Sequence, residues 1–302
     1  MSKGSLFWSK ARGKLGDVVL SQLKGQQIAR AYQPQVANPR STAQTDQRIL
    51  FSNAVKFYKH ATQNLFKFAY EDKRANESYY NAFMRKNAKV SMLPTRAQYL
   101  NVNYPAIGNQ YLMSQGSLPT IPYKYNETDG EFQLSLGSVT SVAEDMTVGE
   151  VSTAFISSHF AQAGDIITIV VVFASISAID DEGTKAPSWN IVQFIVDSSN
   201  TTNFSSYLSR QAPDINITAK KNSAGVGTIT TSDAGVAAGF CMIASREVTG
   251  QKLLVSDAYL VNSKNANEIY QKSLQPDYRT AALNSWGRKS EAILQGSIAK
   301  NV

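Results

Sequence analysis

The 302-residue chain is 43% hydrophobic and 18% charged, with 30 basic residues, 23 acidic residues and a formal net charge of +7. That apolar content excludes a disordered polyelectrolyte and suffices for one large domain or two ordinary ones. Cys241 is the single cysteine, which excludes an intramolecular disulfide and a thiolate zinc cluster while leaving the redox compartment open.

The charge is unevenly spread. Residues 1–100 carry 17 basic against 5 acidic side chains, residues 101–262 carry 7 against 15, and residues 263–302 carry 6 against 3. A basic head, an acidic body and a mildly basic tail follow, an arrangement suited to attachment of one end to a polyanion or to an acidic neighbouring subunit. The first residues lack the apolar core of a secretory signal. Without such a signal, the Asn-x-Ser/Thr matches at Asn76, Asn126, Asn200, Asn203 and Asn216 read as coincidental.

Along the chain, "GDVVLSQLKGQQIARAYQ" reads as two strands around Lys24-Gly25, with Ile28, Arg30 and Tyr32 on one face of the second strand and Ala29 and Ala31 on the other. Pro34 and Pro39 then interrupt regular structure. From Ser41 to about Tyr70, Leu50, Ala54, Phe57, Tyr58, Ala61, Leu65 and Phe68 recur at helical spacing, and Ser41 or Thr42 can cap the start. Arg48, Lys56, Lys59 and Lys67 lie mostly off this apolar stripe. A shorter helix after Asn76-Glu77-Ser78 packs Tyr79, Tyr80, Phe83 and Met84, while Arg85, Lys86 and Lys89 extend the basic surface.

Residues 90–124, with Pro94, Pro105, Pro119 and Pro122, read as a connector. Beyond Glu131, eight short runs read as strands: "EFQLSL", "VSTAFIS", "DIITIVVVFASI", "WNIVQFIVD", "INITAKK", "GVGTITT", "AAGFCMIASRE" and "KLLVSDAYLV". The nine-residue run Ile166–Ala174 is too short for a membrane helix and reads as a buried strand. The expected class is α+β: a basic hairpin-plus-helix head over 1–100, a connector over 101–130, an antiparallel, jelly-roll-like β-sandwich over 131–262, and a helical tail over 263–302.

No catalytic constellation stands out. His60 reads as an exposed helical residue and His159 as a loop residue at the end of a strand. Asp180, Asp181 and Glu182 do not match a calcium-loop spacing. The glycines of "NSAGVGTITTSDAGVAAGF" lack the lysine and following helix of a phosphate loop and read as hairpin turns. Phe240 in "GFCMIASRE" lacks the partner aromatics of an RNA-recognition strand and reads as core. The candidate contact residues are therefore Arg12, Lys14, Lys24, Arg30, Arg40, Arg48, Lys56 and Lys59, interleaved with Trp8, Tyr32, Phe57 and Tyr58, the residue types of a surface that follows phosphates and offers aromatic platforms.

The motifs Gly13-Lys14-Leu15-Gly16 with Val18-Val19, and Asn38-Pro39-Arg40-Ser41 with Gln44, Gln47 and Arg48, resemble those of a poorly characterised family found in bacteriophages and prophages of gut bacteria, particularly Bacteroidetes. The resemblance covers about the first 90 residues. It implies a virion component, present in the host cytoplasm before assembly, and brings no catalytic residue, metal or cofactor. The expected function is a non-enzymatic virion structural protein whose partners are other virion proteins, further copies of itself and phage nucleic acid, with no membrane span. The alternatives are a free nucleic-acid-binding phage protein, or a host-attachment β module anchored by its head.

Overall fold

Nine consecutive residues with apolar or β-branched side chains, Ile166–Ala174, form the strand that organises the protein. The computed structural model describes residues 12–23, 26–34, 41–60, 65–90, 93–96, 110–139, 145–174, 188–213, 216–221, 226–232, 237–248 and 252–286. They fall into two compact units, 1–41 and 42–302.

The first unit holds an antiparallel sheet in the order β1 (Gly13–Leu15), β2 (Val18–Leu23), β3 (Gln26–Ala31). Gly16, at φ 58, takes the positive-φ position that the two-residue turn between β1 and β2 requires. The turn at Lys24-Gly25 lies outside the described residues, but the β2–β3 register is that of the expected hairpin, and β1 adds a third strand to it.

In the second unit, helices α1 (Thr42–His60) and α2 (Tyr79–Asn87) precede β4 (Leu112–Ser114), β5 (Lys124–Asn126) and β6 (Glu131–Ser138). Helix α3 (Val148–Ser157), β7 (Ile166–Ala174), β8 (Ser188–Ile195) and the short α4 (Phe204–Ser209) follow. The chain continues through β9 (Ile217–Lys221), β10 (Val226–Ser232), β11 (Ala237–Val248), β12 (Lys252–Val255), β13 (Ala258–Tyr259) and β14 (Val261–Asn262), ending in α5 (Lys264–Ser273) and α6 (Pro276–Ser285). One sheet has the order β12-β11-β7-β8, with β14 also on β11; a second has the order β5-β6-β10-β9; β13 pairs with β4. All of these strand pairings are antiparallel. The class is α+β, with no closed barrel.

The β7–β11 sheet is covered on both faces. Ile167, Ile169 and Val171 of β7, with Phe240 and Met242 of β11, share one apolar cluster with β6, β9, β10, α3 and α4. Phe240 stacks on Phe132 of β6 at 5.3 Å between ring centroids. The alternate residues Val170, Val172, Cys241 and Ile243 face a second cluster built on Phe57 of α1, Phe83 of α2, Phe66 and Tyr111. Phe57 stacks on Tyr111 at 3.8 Å and meets Trp189 of β8 edge-on at 5.1 Å. Burial on both sides explains why β7 is apolar at nearly every position and not at alternate ones.

The structure therefore draws the boundary between units at residue 41 and places α1 and α2 in the same unit as the β-rich segment, not in a head ending at residue 100. The second half of the expected connector is ordered core. Tyr111, Met113, Leu118 and Ile121 are buried. The side chain of Asn87 grips both backbone groups of Leu112, accepting from its N–H at 2.8 Å and donating to its carbonyl at 3.0 Å.

Two expected elements also differ. Helix α1 ends at His60, and Phe68, at φ 69, lies in a turn where a helix cannot pass. The run "VSTAFIS" is helix α3: Thr147 and Glu150 form a reciprocal capping box, and Val148, Val151 and Phe155 fall at helical spacing on its buried face. The tail is helical as expected, with two helices among its described residues. Helix α6 packs Ala282 with Ile49 of α1 and Leu93, and Arg279 pairs with Asp46 of α1.

Two polar devices lock this arrangement. The Asp165 carboxylate, 1% exposed, receives both Nε and a terminal nitrogen of Arg246 at 2.7 Å, fastening β11 to the start of β7. Glu71 accepts from the N–H groups of Val255 and Ser117 at 2.8 and 2.9 Å, and a Cβ on Gly116 would lie 2.2 Å from its Oε1 and 2.3 Å from the Val255 carbonyl. Asp165→Ala removes the carboxylate from a half-buried guanidinium and should lower the unfolding free energy by about 1–3 kcal/mol in urea titration. Gly116→Ala should cost about 1–3 kcal/mol in the same measurement, because backbone and not only side chain must shift.

Candidate functional site: the basic N-terminal sheet

Cross-strand register decides which side chains of the N-terminal sheet share a face. Lys14 of β1 pairs with Val19 of β2, which pairs with Arg30 of β3, so the two cations lie in one row with a valine between them. Ser21 and Ile28 form the next row on that face. Tyr32 sits on the same side, because the Lys14 ammonium rests 3.5 Å from its ring centroid. Lys14 and Arg30 are exposed, as are Tyr32 at 40% and Ile28 at 37%. At the sheet's end, the Arg12 guanidinium donates to the side chain of Gln22 at 3.1 Å.

The opposite face carries Leu15, Val18, Leu20, Ala29 and Ala31. The sheet is therefore two-sided, with cations and an aromatic on one face and aliphatic side chains on the other. Residues 1–41 hold seven basic side chains against the single acid Asp17, a net +6, which leaves +1 for the other 261 residues.

The expected contact residues are divided between the two units. Arg12, Lys14 and Arg30 belong to the N-terminal unit, and Arg48, Lys56 and Lys59 belong to α1 of the large unit. Lys24 and Arg40 lie outside the described residues. At 100° per residue, the three α1 cations span an arc of about 80°. Arg48 and Lys59, at one edge of that arc, are exposed; Lys56, nearer the buried side, is half-buried, and burial lowers its pKa.

Arg85 and Lys86 do not extend an open basic surface. Arg85 donates to both carboxylate oxygens of Glu77 at 3.0 and 3.1 Å, and Lys86 binds Asp72 at 2.7 Å. The hydrogen bond from Arg85 holds Glu77 down at a pKa of about 2. Sequence reasoning misses this acid–base network, although Asp72 and Glu77 stand close in the chain to Arg85 and Lys86.

The remaining chemical candidates are dispersed. His159, exposed at φ 59, follows the C-terminus of α3, a helix where a strand was expected. His60 is the last residue of α1, and its side chain lies outside the described residues, as does the acidic stretch Asp180-Asp181-Glu182. Cys241 is fully buried, and desolvation pushes its thiol pKa up. Phe240 is a core residue, as expected. Of the glycine-rich stretch, β9 and β10 form an antiparallel pair, while β10 and β11 belong to different sheets. Among the described residues, no group of three or more His, Cys, Asp or Glu side chains is placed to hold a metal ion, and no helix is long and apolar enough to cross a membrane.

Residues 9–126 match a family of unknown function, DUF6266. The match takes in the N-terminal sheet, α1, α2 and the strands β4 and β5, and so spans the boundary between the two units. Neither curated proteins nor solved structures match the chain.

Because the folded pKa of Glu77 lies below its ordinary 4.5, its contribution to stability is complete above about pH 4.5 and is lost as the pH falls toward 2. Thermal unfolding followed across this window should show Tm falling less steeply with acid in Glu77→Gln than in the unaltered protein.

Proposed function

We propose that the protein is a non-enzymatic structural component of a bacteriophage particle. In this reading the large unit builds or decorates the particle as one of several copies beside other virion proteins, and the basic N-terminal unit attaches it. The protein gathers in the host cytoplasm before assembly and is then retained in the virion. The observation that carries the reading is the segregation of charge, with net +6 on residues 1–41 and +1 on the rest. A small sheet with so little core of its own, joined to a large and nearly neutral body, suits a docking element better than a catalytic one.

The resemblance of the Gly13–Val19 and Asn38–Arg48 motifs to those of phage and prophage proteins supports the particle setting. A freely diffusing nucleic-acid-binding protein made during infection is the second reading, favoured by the same charge segregation. Mass spectrometry of particles purified through density gradients and treated with nuclease separates the two. Peptides of this chain should appear in constant ratio to the other particle proteins across preparations. Recovery only in the soluble lysate would exclude the structural role and favour the second reading.

A further inference from the structure

We infer that the Lys14–Arg30 face of the N-terminal sheet binds the phosphate backbone of nucleic acid, and that an acidic surface on a second copy of the chain is not its partner. The inference rests on the attachment role proposed above for this unit and names what it attaches to. The sequence shows a basic head and an acidic body, which by themselves suggest that the head of one copy docks on the body of the next. The fold removes that possibility at the level of net charge. Residues 42–100, with 10 basic side chains against 4 acidic, fold into the same unit as the acidic segment, and that whole unit is left at +1. A neighbouring copy therefore presents no net negative body to an N-terminal unit of net +6.

Six carboxylates of the large unit are also engaged at home. Asp46, Asp72, Glu77 and Asp165 are paired with arginine or lysine. Glu71 and Glu150 accept from backbone N–H groups. Using any of these acids to receive the N-terminal sheet would break a bond already made, at a cost comparable to the strength of the ion pair that replaced it.

The geometry of the face suits phosphates. Strands lie about 4.8 Å apart, so Lys14 and Arg30, two strands removed, project from points about 10 Å apart on one side of the sheet. Lys14 is held over the Tyr32 ring, which fixes its ammonium without neutralising it. Arg30 carries the planar fork that suits phosphate oxygens. Ile28 and Tyr32 leave apolar surface beside the cations for the sugar and base edges. Leu15 and Val18 lie on the opposite face of the sheet, away from the cations.

The test uses the full-length protein and fluorescein-labelled oligothymidylate and duplex DNA of similar length, with affinity read by anisotropy over a range of salt. Binding should weaken along a straight line in a log-log plot, and Lys14→Gln combined with Arg30→Gln should reduce the slope by roughly 0.7 to 0.9 for each contact removed. The pair Lys124→Gln and Lys264→Gln, on exposed sites of the large unit, removes equal charge and should leave the slope unchanged. Should the Gln pair prove misfolded by circular dichroism, Lys14→Ala with Tyr32 intact and Arg30→Ala, tested singly, each remove one contact. Absence of binding to both DNAs, an unchanged slope in the Lys14/Arg30 variants, or an equal loss in the control pair overturns the inference. Salt-sensitive self-association that disappears in the Lys14/Arg30 variants, without DNA binding, overturns it in favour of a protein partner. These outcomes are independent of whether the chain is found in purified particles, so the particle reading stands or falls separately.

Discussion

The antiparallel pair β7–β11 is covered on both faces along its centre, from Ile167 to Val172, and the rest of the large unit is arranged around that fact. Nine backbone pairings tie the two strands together, from Ile166↔Ser245 to Ala174↔Ala237. Along the centre of the pair, Ile167, Ile169 and Val171 with Phe240 and Met242 enter one apolar cluster, and Val170 and Val172 with Cys241 and Ile243 enter another. A sheet exposed on one side can rest on a single layer. This one must be covered twice, by β6, β9, β10, α3 and α4 on one side and by α1, α2 and the segment around Tyr111 on the other. Each uncovered apolar residue would otherwise expose surface worth about 25 cal/mol per Å². The covering requirement explains why the amphipathic helix α1, far from β7 in sequence, belongs to the β-rich unit.

Covering the sheet in this way also sets the electrostatics. The helices that close the second face bring their basic side chains into the unit that contains the acidic segment. Some of those side chains are then neutralised locally, as Arg85 and Lys86 are by Glu77 and Asp72. What is left over belongs to residues 1–41. The N-terminal sheet is too small for a core of its own, and its cations and aliphatic residues are displayed on opposite faces. Local charge density along a chain is thus a poor guide to charge on a surface when packing folds oppositely charged segments together.

Elements with an unambiguous hydrophobic period are legible in the sequence. Strands β7 and β11, the hairpin β2–β3, helix α2 following Ser78 and the buried position of Phe240 follow from short-range pattern alone. Helix α3 reads as a strand because "VSTAFIS" is rich in β-branched residues and short. Its Thr147-x-x-Glu150 box and the spacing of Val148, Val151 and Phe155 are the signals that identify it as a helix. The end of α1 is hidden because Phe66 and Ala69 continue to be buried after the helix has stopped, so apolar recurrence outlasts the helix. The expected connector is misleading because its proline residues speak for loops, while the side chain of Asn87, pairing Leu112 as a neighbouring strand would, leaves no trace in periodicity. Of the candidate face, the common side of Arg30 and Tyr32 is visible in the sequence. The row with Lys14 depends on β1, which a three-residue strand does not announce.

The packing of α6 against α1 has a kinetic meaning. Arg279 pairs with Asp46, Trp286 donates to the Pro94 carbonyl at 3.0 Å, and the Arg96 N–H donates to Ser285. Elements from both ends of the large unit therefore close on each other across more than 180 residues. A chain emerging from the ribosome makes α1 and α2 first, at roughly 5–20 residues per second. The sheet face that shelters Phe57, Phe83 and Tyr111 is made only after β11 has been synthesised. Until then this aromatic surface has no cover, and the final clasp waits for the last helix. Such long-range closure makes folding slow relative to a protein of local contacts, and completion of the large unit waits until α6 has been synthesised.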